Sequence, residues 1–476
     1  MFNNQIIAGS SGQGGSFYGY SIDQSLRFDG SSAYLNFTPS SSTTATVTIS
    51  FWVKRSTLGA TQYLFASGAA NARGNIGFNS SDQLFFQGFN SSGANSVLTS
   101  SMLFRDVSSW YHIVVECNGV TTTSNFPTNT NVYVNGSTIS MTHSTASSPS
   151  GGFRINDTQV KHIGALTPTA SSYLSGYMAE VHWIDGTAVD VSSFGETKDG
   201  VWVAKKYTGS HGAAGWHLPF DDSSAIGDDE SANTNDWTAN NLAASDVVPD
   251  SPTDNHATWS PIHASTSGGP VFSEGNTRFQ SSGASWSYSV ATMAMPNNSG
   301  KYAWKFQYNA ATNGNSYPIF FITSANDSAN FGTDVTAHKS NGNSLYISVT
   351  GAGTADSVIV KSVAGTDTSI VQYAHNGLNG ATFEILLDTD ANTITIKDKD
   401  GTARVTDYDV SYIDDGSGFI PVVQAYSYNN AELVVDYTPS DSDYKLLKSS
   451  SLPEPTIGPN SAEQADDYFN TVLYTG

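Results

Sequence analysis

The stretch that decides the fold covers residues 46–54 and reads Thr-Val-Thr-Ile-Ser-Phe-Trp-Val-Lys. Its odd-numbered positions are apolar, which predicts a β-strand with one buried face and with Trp52 on the other face. The same period-two pattern recurs over residues 110–117, 131–134 and 176–184. The Asn-Gly dipeptide at 135–136 supplies the positive φ angles of a tight hairpin turn. Strands and turns at this short spacing predict an antiparallel β-sandwich.

A second set of strand patterns begins after residue 259. Apolar and polar positions alternate over residues 301–308, where Tyr302, Trp304, Phe306 and Tyr308 form one face. Further strands are predicted over residues 344–349, 383–387 and 394–396, with Asp, Asn and Gly turns after the last two. The predicted fold class is therefore all-β, with two antiparallel β-sandwiches and an extended N-terminal arm.

The remaining segments set the predicted domain boundaries. A Gly-, Ser- and Asn-rich arm cannot bury a core of its own, and we interpret an acidic middle segment as a linker that packs on its neighbours. The only helix is predicted over residues 461–473, with Ser461 as its N-cap. The predicted order is an arm at 1–22, a sandwich at 23–199, a linker at 200–262, a second sandwich at 263–440, and at 441–476 a linker that leads into a further domain.

Composition limits the classes of partner. The 476 residues include 20 Lys and Arg against 42 Asp and Glu, so the net charge is −22, which argues against nucleic acid and anionic membranes as partners. Cys117 is the single cysteine, which excludes an intrachain disulfide and predicts a small apolar core residue. Neither a signal peptide nor an apolar run of membrane-spanning length is visible. We therefore expect synthesis in the cytoplasm and no membrane contact.

Several short motifs resemble known families. Residues 25–30, 51–55, 110–114 and 132–136 resemble a laminin-G-like domain of the concanavalin A-like lectin superfamily. Residues 177–181, 184–186, 193–197, 205–209 and 235–238 resemble large virion proteins of marine tailed phages. Residues 299–304 resemble a SPRY-like sandwich, and 452–456 and 468–471 also recur in those phage proteins. Because these motifs follow one another in the same order along the chain, the resemblance extends over nearly all of residues 22–476.

The resemblance implies a concanavalin A-like jelly roll followed by a SPRY-like sandwich in a phage virion protein. Such a protein is a tail fibre, capsid fibre or decoration protein that contacts host-surface glycans, and fibres of this kind are commonly homotrimers. We expect residues 1–22 to dock on other virion proteins, either capsid or tail. Phe2, Ile6 and Ile7 would then be the apolar anchors.

Catalytic carboxylates are not predicted. Glycosidases need two carboxyl groups that point the same way, about 5–9 Å apart. Glu384 and Asp388 have suitable spacing, but with Ile385 and Leu387 buried both acids are expected to point to solvent. Glu180 and Asp185 are expected on opposite faces. The alternatives left open are a polysaccharide-degrading tailspike-type hydrolase and a purely structural protein without a ligand.

No metal or cofactor site is predicted, and glycan-binding residues stay unassigned. Five aspartates could supply oxygen ligands for calcium, although a solvated acidic loop fits them better: Asp221, Asp222, Asp228, Asp229 and Asp236. Eight histidines show no close paired spacing and are interpreted as surface or core residues: His112, His143, His162, His182, His211, His217, His256 and His263. The aromatic residues that could contact a sugar are Trp52, Trp183, Trp286 and Trp304, with Tyr18 and Tyr173 in loops.

Overall fold

The computed structural model describes two compact units, formed by residues 18–255 and 256–452. The described residues are 18–40, 45–70, 72–91, 94–146, 152–265, 269–282, 286–309, 319–326, 342–350, 355–375, 381–426, 430–435 and 437–452. The predicted anchors Phe2, Ile6 and Ile7 and the predicted helix at 461–473 lie outside them. Strands dominate both units, and the described helical segments are short 3-10 turns at Val191–Ser193, Ala244–Asp246 and Ser449–Ser451.

The first unit contains eighteen described strands. In chain order they are β1 (Ser25–Asp29), β2 (Tyr34–Phe37), β3 (Val47–Arg55), β4 (Gln62–Ala69), β5 (Ala72–Phe78), β6 (Gln83–Ser91), β7 (Ala94–Leu103), β8 (Tyr111–Cys117), β9 (Thr130–Val134), β10 (Ser137–Thr138), β11 (Met141–Ala146), β12 (Lys161–Ile163), β13 (Ser175–Asp185), β14 (Gly195–Lys198), β15 (Val201–Ala204), β16 (Trp216–Leu218), β17 (Thr238–Asn240) and β18 (Val247–Val248).

These strands form two eight-stranded antiparallel sheets and one separate hairpin. The first sheet has the order β10-β9-β8-β3-β13-β1-β18, with β16 also paired to β13. The second sheet has the order β11-β7-β6-β5-β4-β12-β2-β17, and β14 pairs with β15 alone. Apolar residues from both sheets meet in one core, which includes Cys117 as predicted.

The central strand β3 of the first sheet is buried on both faces. Its inner face, toward the second sheet, takes Val47, Ile49, Phe51 and Val53 from β3 into the core, as the alternation predicts. Trp52 lies on the opposite, outer face in a separate apolar cluster. All nine residues of β3 are nevertheless buried. The outer face is therefore covered by other parts of this unit.

The cover comes largely from residues 200–255, which the sequence predicts to be a linker, and from Ile22 at the end of the predicted arm. Residues 200–255 lie within the first unit and contribute β15 to β18. Strands of two to four residues are too short to show a period-two signal, which is why the sequence suggested a linker. Ile22, at the predicted end of the arm, is also buried on the outer face, where its backbone N–H donates to Thr253 Oγ1 at 3.0 Å.

The second unit contains fifteen described strands. They are β19 (Trp259–Ala264), β20 (Pro270–Ser273), β21 (Arg278–Ser281), β22 (Trp286–Ala291), β23 (Lys301–Asn309), β24 (Ile319–Ser324), β25 (Ser344–Thr350), β26 (Ala355–Val363), β27 (Thr366–His375), β28 (Ala381–Asp388), β29 (Thr393–Lys397), β30 (Ala403–Asp409), β31 (Phe419–Tyr426), β32 (Asn430–Val434) and β33 (Lys445–Leu446).

Two antiparallel sheets also make up this unit. One has the order β19-β22-β31-β24-β25-β26-β27, and the other has the order β20-β21-β32-β23-β28-β29-β30. The short strand β33 pairs in parallel with β23, and Leu447 and Leu452 join the core. Residues 441–452 therefore complete this sandwich, although the sequence suggested a linker. The predicted alternation in β23 is confirmed, since Tyr302, Trp304, Phe306 and Tyr308 are all buried there.

Candidate metal centre

A β-bulge on β13 positions the acidic residue of the candidate site. Ala179 pairs with Trp52 and His182 pairs with Ser50, so Glu180 and Val181 together oppose the single residue Phe51. Glu180 has a φ of 48°, a left-handed conformation that is rare for a residue with a side chain. Such a conformation costs on the order of 1–3 kcal/mol.

The extra residue changes which side chains face the core. Met178 lies in the core before the bulge, while Val181 and Trp183 lie in it afterwards. In an unbroken strand His182 would share the face of Met178, because side chains alternate with a period of two. The bulge instead turns His182 to the outer face. Bulges commonly re-aim side chains in this way beside active sites.

Strand β16 brings a second histidine beside the first. His217 is directly opposite His182 in the pairing of β13 with β16. The two imidazole rings stack with centroids 4.0 Å apart and planes 9° from parallel. Trp216 and Leu218, on either side of His217, enter the core, so His217 also faces outward.

A tight loop before β16 places a third histidine. His211 Nε2 lies 3.2 Å from His182 Nδ1. The loop requires glycine at 215, because a Cβ there would lie 1.8 Å from the carbonyl oxygen of His211. Asn233 holds the loop from outside by donating its side-chain N–H to the carbonyls of Gly212 and Gly215, at 2.6 and 3.0 Å.

The Glu180 carboxylate is the centre of this group. Its Oε2 lies 3.3 Å from His182 Nε2 and 3.1 Å from His217 Nε2. Its other oxygen, Oε1, accepts a hydrogen bond from the Tyr20 hydroxyl at 3.0 Å. One ligand atom from each of Glu180, His182 and His217 lies within 4.8 Å of the other two. Among the described residues, no other three acidic, histidine or cysteine side chains gather in this way.

Burial and mutual contacts set the charge of the group. Burial lowers the pKa of His182 to about 4, and the neighbouring His217 contributes, although Glu180 opposes both effects. Burial also lowers the pKa of His211 to about 4. For Glu180, burial favours the neutral acid, but contacts with His182 and His217 outweigh it and hold the pKa well below its usual range. At neutral pH the site therefore contains neutral His182 and His211 imidazoles beside an ionised carboxylate.

A small cleft opens beside these side chains on the outer face. Its empty volume is about 190 Å³ including its open mouth, and its lining includes Tyr20, Trp52, His112, Glu180 and Lys205. The part of it that the centre of a water molecule can reach is only about 10 Å³, close to the minimum that one water needs. The cleft therefore suits water or a very small ligand better than a saccharide.

The structure disperses the aromatic residues that could contact a sugar. Trp183 and Trp304 are buried in the two cores, and Trp52 is buried in the outer-face cluster. Trp286 is partly buried against the core of the second unit. Tyr18 and Tyr173 keep partial exposure, but the Tyr173 hydroxyl donates to the carbonyl of Ala170 at 2.7 Å. These six rings therefore do not form one exposed platform.

The acidic residues that could have bound calcium or acted as catalytic acids instead accept hydrogen bonds that stabilise loops. Asp222 accepts the Ser224 backbone N–H at 2.7 Å, and Asp229 accepts the His217 N–H at 2.8 Å. The five aspartates of the acidic segment do not bring their carboxylates into one group of ligands. Glu384, which we expected at the solvent face, is only 5% exposed, because the segment at Ser440 covers it and donates a backbone N–H at 2.8 Å.

The spacing of histidines along the chain gave no sign of the cluster. His182 and His217 meet through the register of β13 with β16, and His211 meets them through a loop. One local signal was present, since Glu180 and His182 are two residues apart on a predicted strand and so share a face. His217 lies in a segment whose short strands carry no readable period, so the sequence does not connect it to that pair.

The comparisons define the class of the first unit. Residues 29–190, about a third of the chain, match the model of a laminin G family described as the concanavalin A-like lectin/glucanases superfamily. No curated protein is significantly similar in sequence to the chain. The fold class is all-β, with a concanavalin A-like sandwich of the laminin G type in the first unit.

Three of the solved structures that are similar to the chain follow, each less than 20% identical to it in sequence. The native SAP-like pentraxin of Limulus polyphemus is 19% identical over 36% of this chain and 79% of that chain, with a TM-score of 0.27. The SPRY domain of human HERC1 is 15% identical over 37% of this chain and 96% of that chain, with a TM-score of 0.26. Domains LG4-5 of the mouse laminin alpha1 chain are 7% identical over 95% of this chain and 98% of that chain, with a TM-score of 0.30.

Proposed function

We propose that this chain is a glycan-binding structural protein of a phage virion and not an enzyme. The observation that carries the glycan-binding part is the match of residues 29–190 to the lectin and glucanase superfamily. Lectins bind carbohydrate and glucanases cleave it, so the match favours carbohydrate as the class of ligand. The residues that contact the glycan remain unassigned.

The virion part of the proposal rests on the motifs that resemble marine phage proteins. A tail fibre, capsid fibre or decoration protein made in the host cytoplasm would assemble on the particle through residues 1–22, with Phe2, Ile6 and Ile7 as anchors. Its partners are other virion proteins, further copies of the chain in a homo-oligomer such as a trimer, and host-surface glycans. A net charge of −22 disfavours nucleic acid. No helix among the described residues is long and apolar enough to cross a membrane.

The distribution of carboxylates supports binding without catalysis. Glu384 accepts hydrogen bonds from Ser440, and Asp388 accepts the backbone N–H groups of Asp390 and Ala391 at 3.0 and 2.9 Å. Both therefore stabilise local structure. Glu180 is held by two histidines and a tyrosine, with no second carboxylate in its group of ligand atoms. A glycosidase needs a pair of carboxyl groups across the scissile bond.

Immobilised host-surface polysaccharide tests the glycan-binding part. The purified full chain is expected to bind it, and the polysaccharide is expected to keep its length during prolonged incubation. Shortening of the polysaccharide would contradict the non-catalytic part of the proposal, and an absence of binding would contradict the lectin part. Imaging of the intact particle with this chain labelled tests the virion part separately, and a particle without label would contradict it.

A further inference from the structure

We propose that Glu180, His182 and His217 bind one divalent transition-metal ion of the zinc class on the outer face of the first sheet. The ligand atoms are Glu180 Oε2, His182 Nε2 and His217 Nε2. All three come from the paired strands β13 and β16, so the sheet fixes their spacing.

The separations between these atoms suit a zinc-class ion. Bonds of about 2.0–2.1 Å in a tetrahedral arrangement place neighbouring ligand atoms roughly 3.3 Å apart. Glu180 Oε2 lies 3.3 Å from His182 Nε2 and 3.1 Å from His217 Nε2. Two of the three separations are therefore already those of a zinc-class site, and the third, between the two Nε2 atoms, is within 4.8 Å.

The chemistry of the donors selects the class of ion. Two imidazole nitrogens with one carboxylate oxygen suit Zn²⁺ and its neighbours in the first transition row, whereas Ca²⁺ and Mg²⁺ prefer sets of oxygens. An ionised Glu180 also supplies a negative charge that compensates part of the charge of the cation. A metal ion would in turn replace the hydrogen bonds that hold this buried carboxylate between the two rings.

Neighbouring groups orient the proposed ligands. With Nε2 of His182 on the metal, its Nδ1 must carry the proton, and His211 Nε2 at 3.2 Å accepts it. The Tyr20 hydroxyl occupies Glu180 Oε1, which leaves Oε2 for the ion. Partners of this kind fix the tautomer and direction of metal ligands. His211 and Tyr20 are therefore positioning residues and not ligands.

The site would keep an open coordination position. Three protein ligands satisfy three corners of a tetrahedron, and the fourth would face the cleft of about 190 Å³ beside Glu180 and His182. One water molecule fits there.

Metal titration of the full chain tests the proposal. After dialysis against a chelator, the protein is titrated with Zn²⁺ and with Co²⁺, whose visible absorption reports a tetrahedral site, and bound metal is counted by elemental analysis. We expect one equivalent of Zn²⁺ per chain, a cobalt spectrum that Zn²⁺ abolishes, and no competition from Ca²⁺. His263→Ala serves as the control, because His263 is an exposed histidine in the second unit.

The variants separate a metal site from a cluster held only by hydrogen bonds. Loss of an outer partner typically costs 10–100-fold in affinity, so loss of a direct ligand in His217→Ala or Glu180→Gln should cost more than about 100-fold. His211→Ala should cost about 10–100-fold, and His263→Ala should bind as the unchanged chain does. Because Glu180→Gln keeps the shape of the side chain, it serves if His217→Ala fails to fold. Less than one equivalent of Zn²⁺ on the unchanged chain, or unchanged affinity in Glu180→Gln, would overturn the proposal.

Discussion

At the centre of the first sheet the inner and outer faces are both buried, yet they bury different types of side chain. Residues such as Ile49 and Phe51 fill the inner face, which packs against the second sheet. The outer face buries Lys54, His112 and His182 under segments of the same unit. The inner face therefore stabilises the fold through apolar burial, whereas the outer face must satisfy every polar group it hides. The difference places the candidate function on the outer face.

The inner face should be most sensitive to loss of volume. Trp183 is fully buried and stacks on Phe65 with ring centroids 4.8 Å apart. Trp183→Ala should lower the free energy of unfolding of the first unit by about 5 kcal/mol, at the upper end of the range for tryptophan in a core. Hydrogen exchange of peptides from β13 in the full chain would measure it. A loss below about 1 kcal/mol would contradict this view of the inner face.

On the outer face, the largest effect should come from breaking a buried ion pair. Lys54 Nζ donates to Asp250 Oδ2 at 2.8 Å and to Asn255 Oδ1 at 2.7 Å, and both charged side chains are almost fully buried. Lys54→Met should lower the free energy of unfolding by about 3–4 kcal/mol, because it removes the buried cation that pairs with the Asp250 carboxylate.

The matched double variant separates charge from packing. In Lys54→Met combined with Asp250→Asn, the amide oxygen still accepts the Trp110 indole N–H, which lies 3.1 Å from Asp250 Oδ1 in the unchanged chain. The double variant should therefore recover more than half of the loss measured for Lys54→Met alone. Hydrogen exchange of β3 peptides would report both values. Equal stability of the single and double variants would show that the outer face does not depend on charge pairing.

The cover of the outer face can be tested at a glycine. Gly136 has a φ of 78°, and a Cβ there would lie 2.3 Å from the ring of Trp202. Gly136→Ala should cost about 2–3 kcal/mol, from the left-handed backbone and from displacement of that ring. Gly59→Ala is the control, because Gly59 has a φ of 72° with open space around it, and should cost only about 1 kcal/mol. Hydrogen exchange of peptides from the first unit would measure both losses of stability. Equal losses in Gly136→Ala and Gly59→Ala would argue against tight packing of Trp202 over the outer face.

A smaller effect on the outer face depends on pH. Trp202 Nε1, which can only donate, lies 2.9 Å from His112 Nδ1, so the His112 proton is on Nε2 toward Ser50 Oγ. Burial, helped by the nearby His182, lowers the pKa of His112 to about 3. Its unfolded pKa is about 6.5, so the unfolded chain binds more protons between these values. The stability contributed by neutral His112 is therefore complete above about pH 6.5 and is lost as the pH falls toward 3.

The variant His112→Asn should flatten this dependence. An asparagine keeps an acceptor for Trp202 and does not titrate in this range. Below pH 6.5, each pH unit should lower the free energy of unfolding of the unchanged chain by up to about 1.4 kcal/mol more than that of the variant. Calorimetry of the full chain between pH 7 and pH 5, analysed at the unfolding transition of the first unit, would measure the difference in the free energy of unfolding. Parallel curves for the two proteins would show that His112 is already free to accept a proton.

The inner faces could be predicted from the sequence because their signal is local. The alternation of β3 and β23 gave the core-facing residues of each strand correctly, and the turn at Asn135 and Gly136 adopts the positive φ angles that its dipeptide predicts. The strands between residues 200 and 255 escaped because two to four residues carry no readable period. The pairing of β16, β17 and β18 depends on contacts with β13, β2 and β1 far back in the chain.

The candidate site could not be predicted for the same reason. The bulge at Glu180, which turns His182 outward, is a backbone event that no hydrophobic pattern records. His217 becomes a neighbour of His182 only through the register of β16. Glu180 and His182 stand two residues apart in the sequence, but that spacing alone does not indicate a site, and tertiary structure supplies the third donor.

Anomalous X-ray scattering at the zinc absorption edge would test the central claim most directly. Crystals of the full chain grown with Zn²⁺ should show one strong anomalous peak on the outer face, about 2.0–2.2 Å from Glu180 Oε2, His182 Nε2 and His217 Nε2. The same position without a peak, with the carboxylate still hydrogen-bonded between the two imidazoles, would contradict the claim that the outer face was built to hold a metal ion.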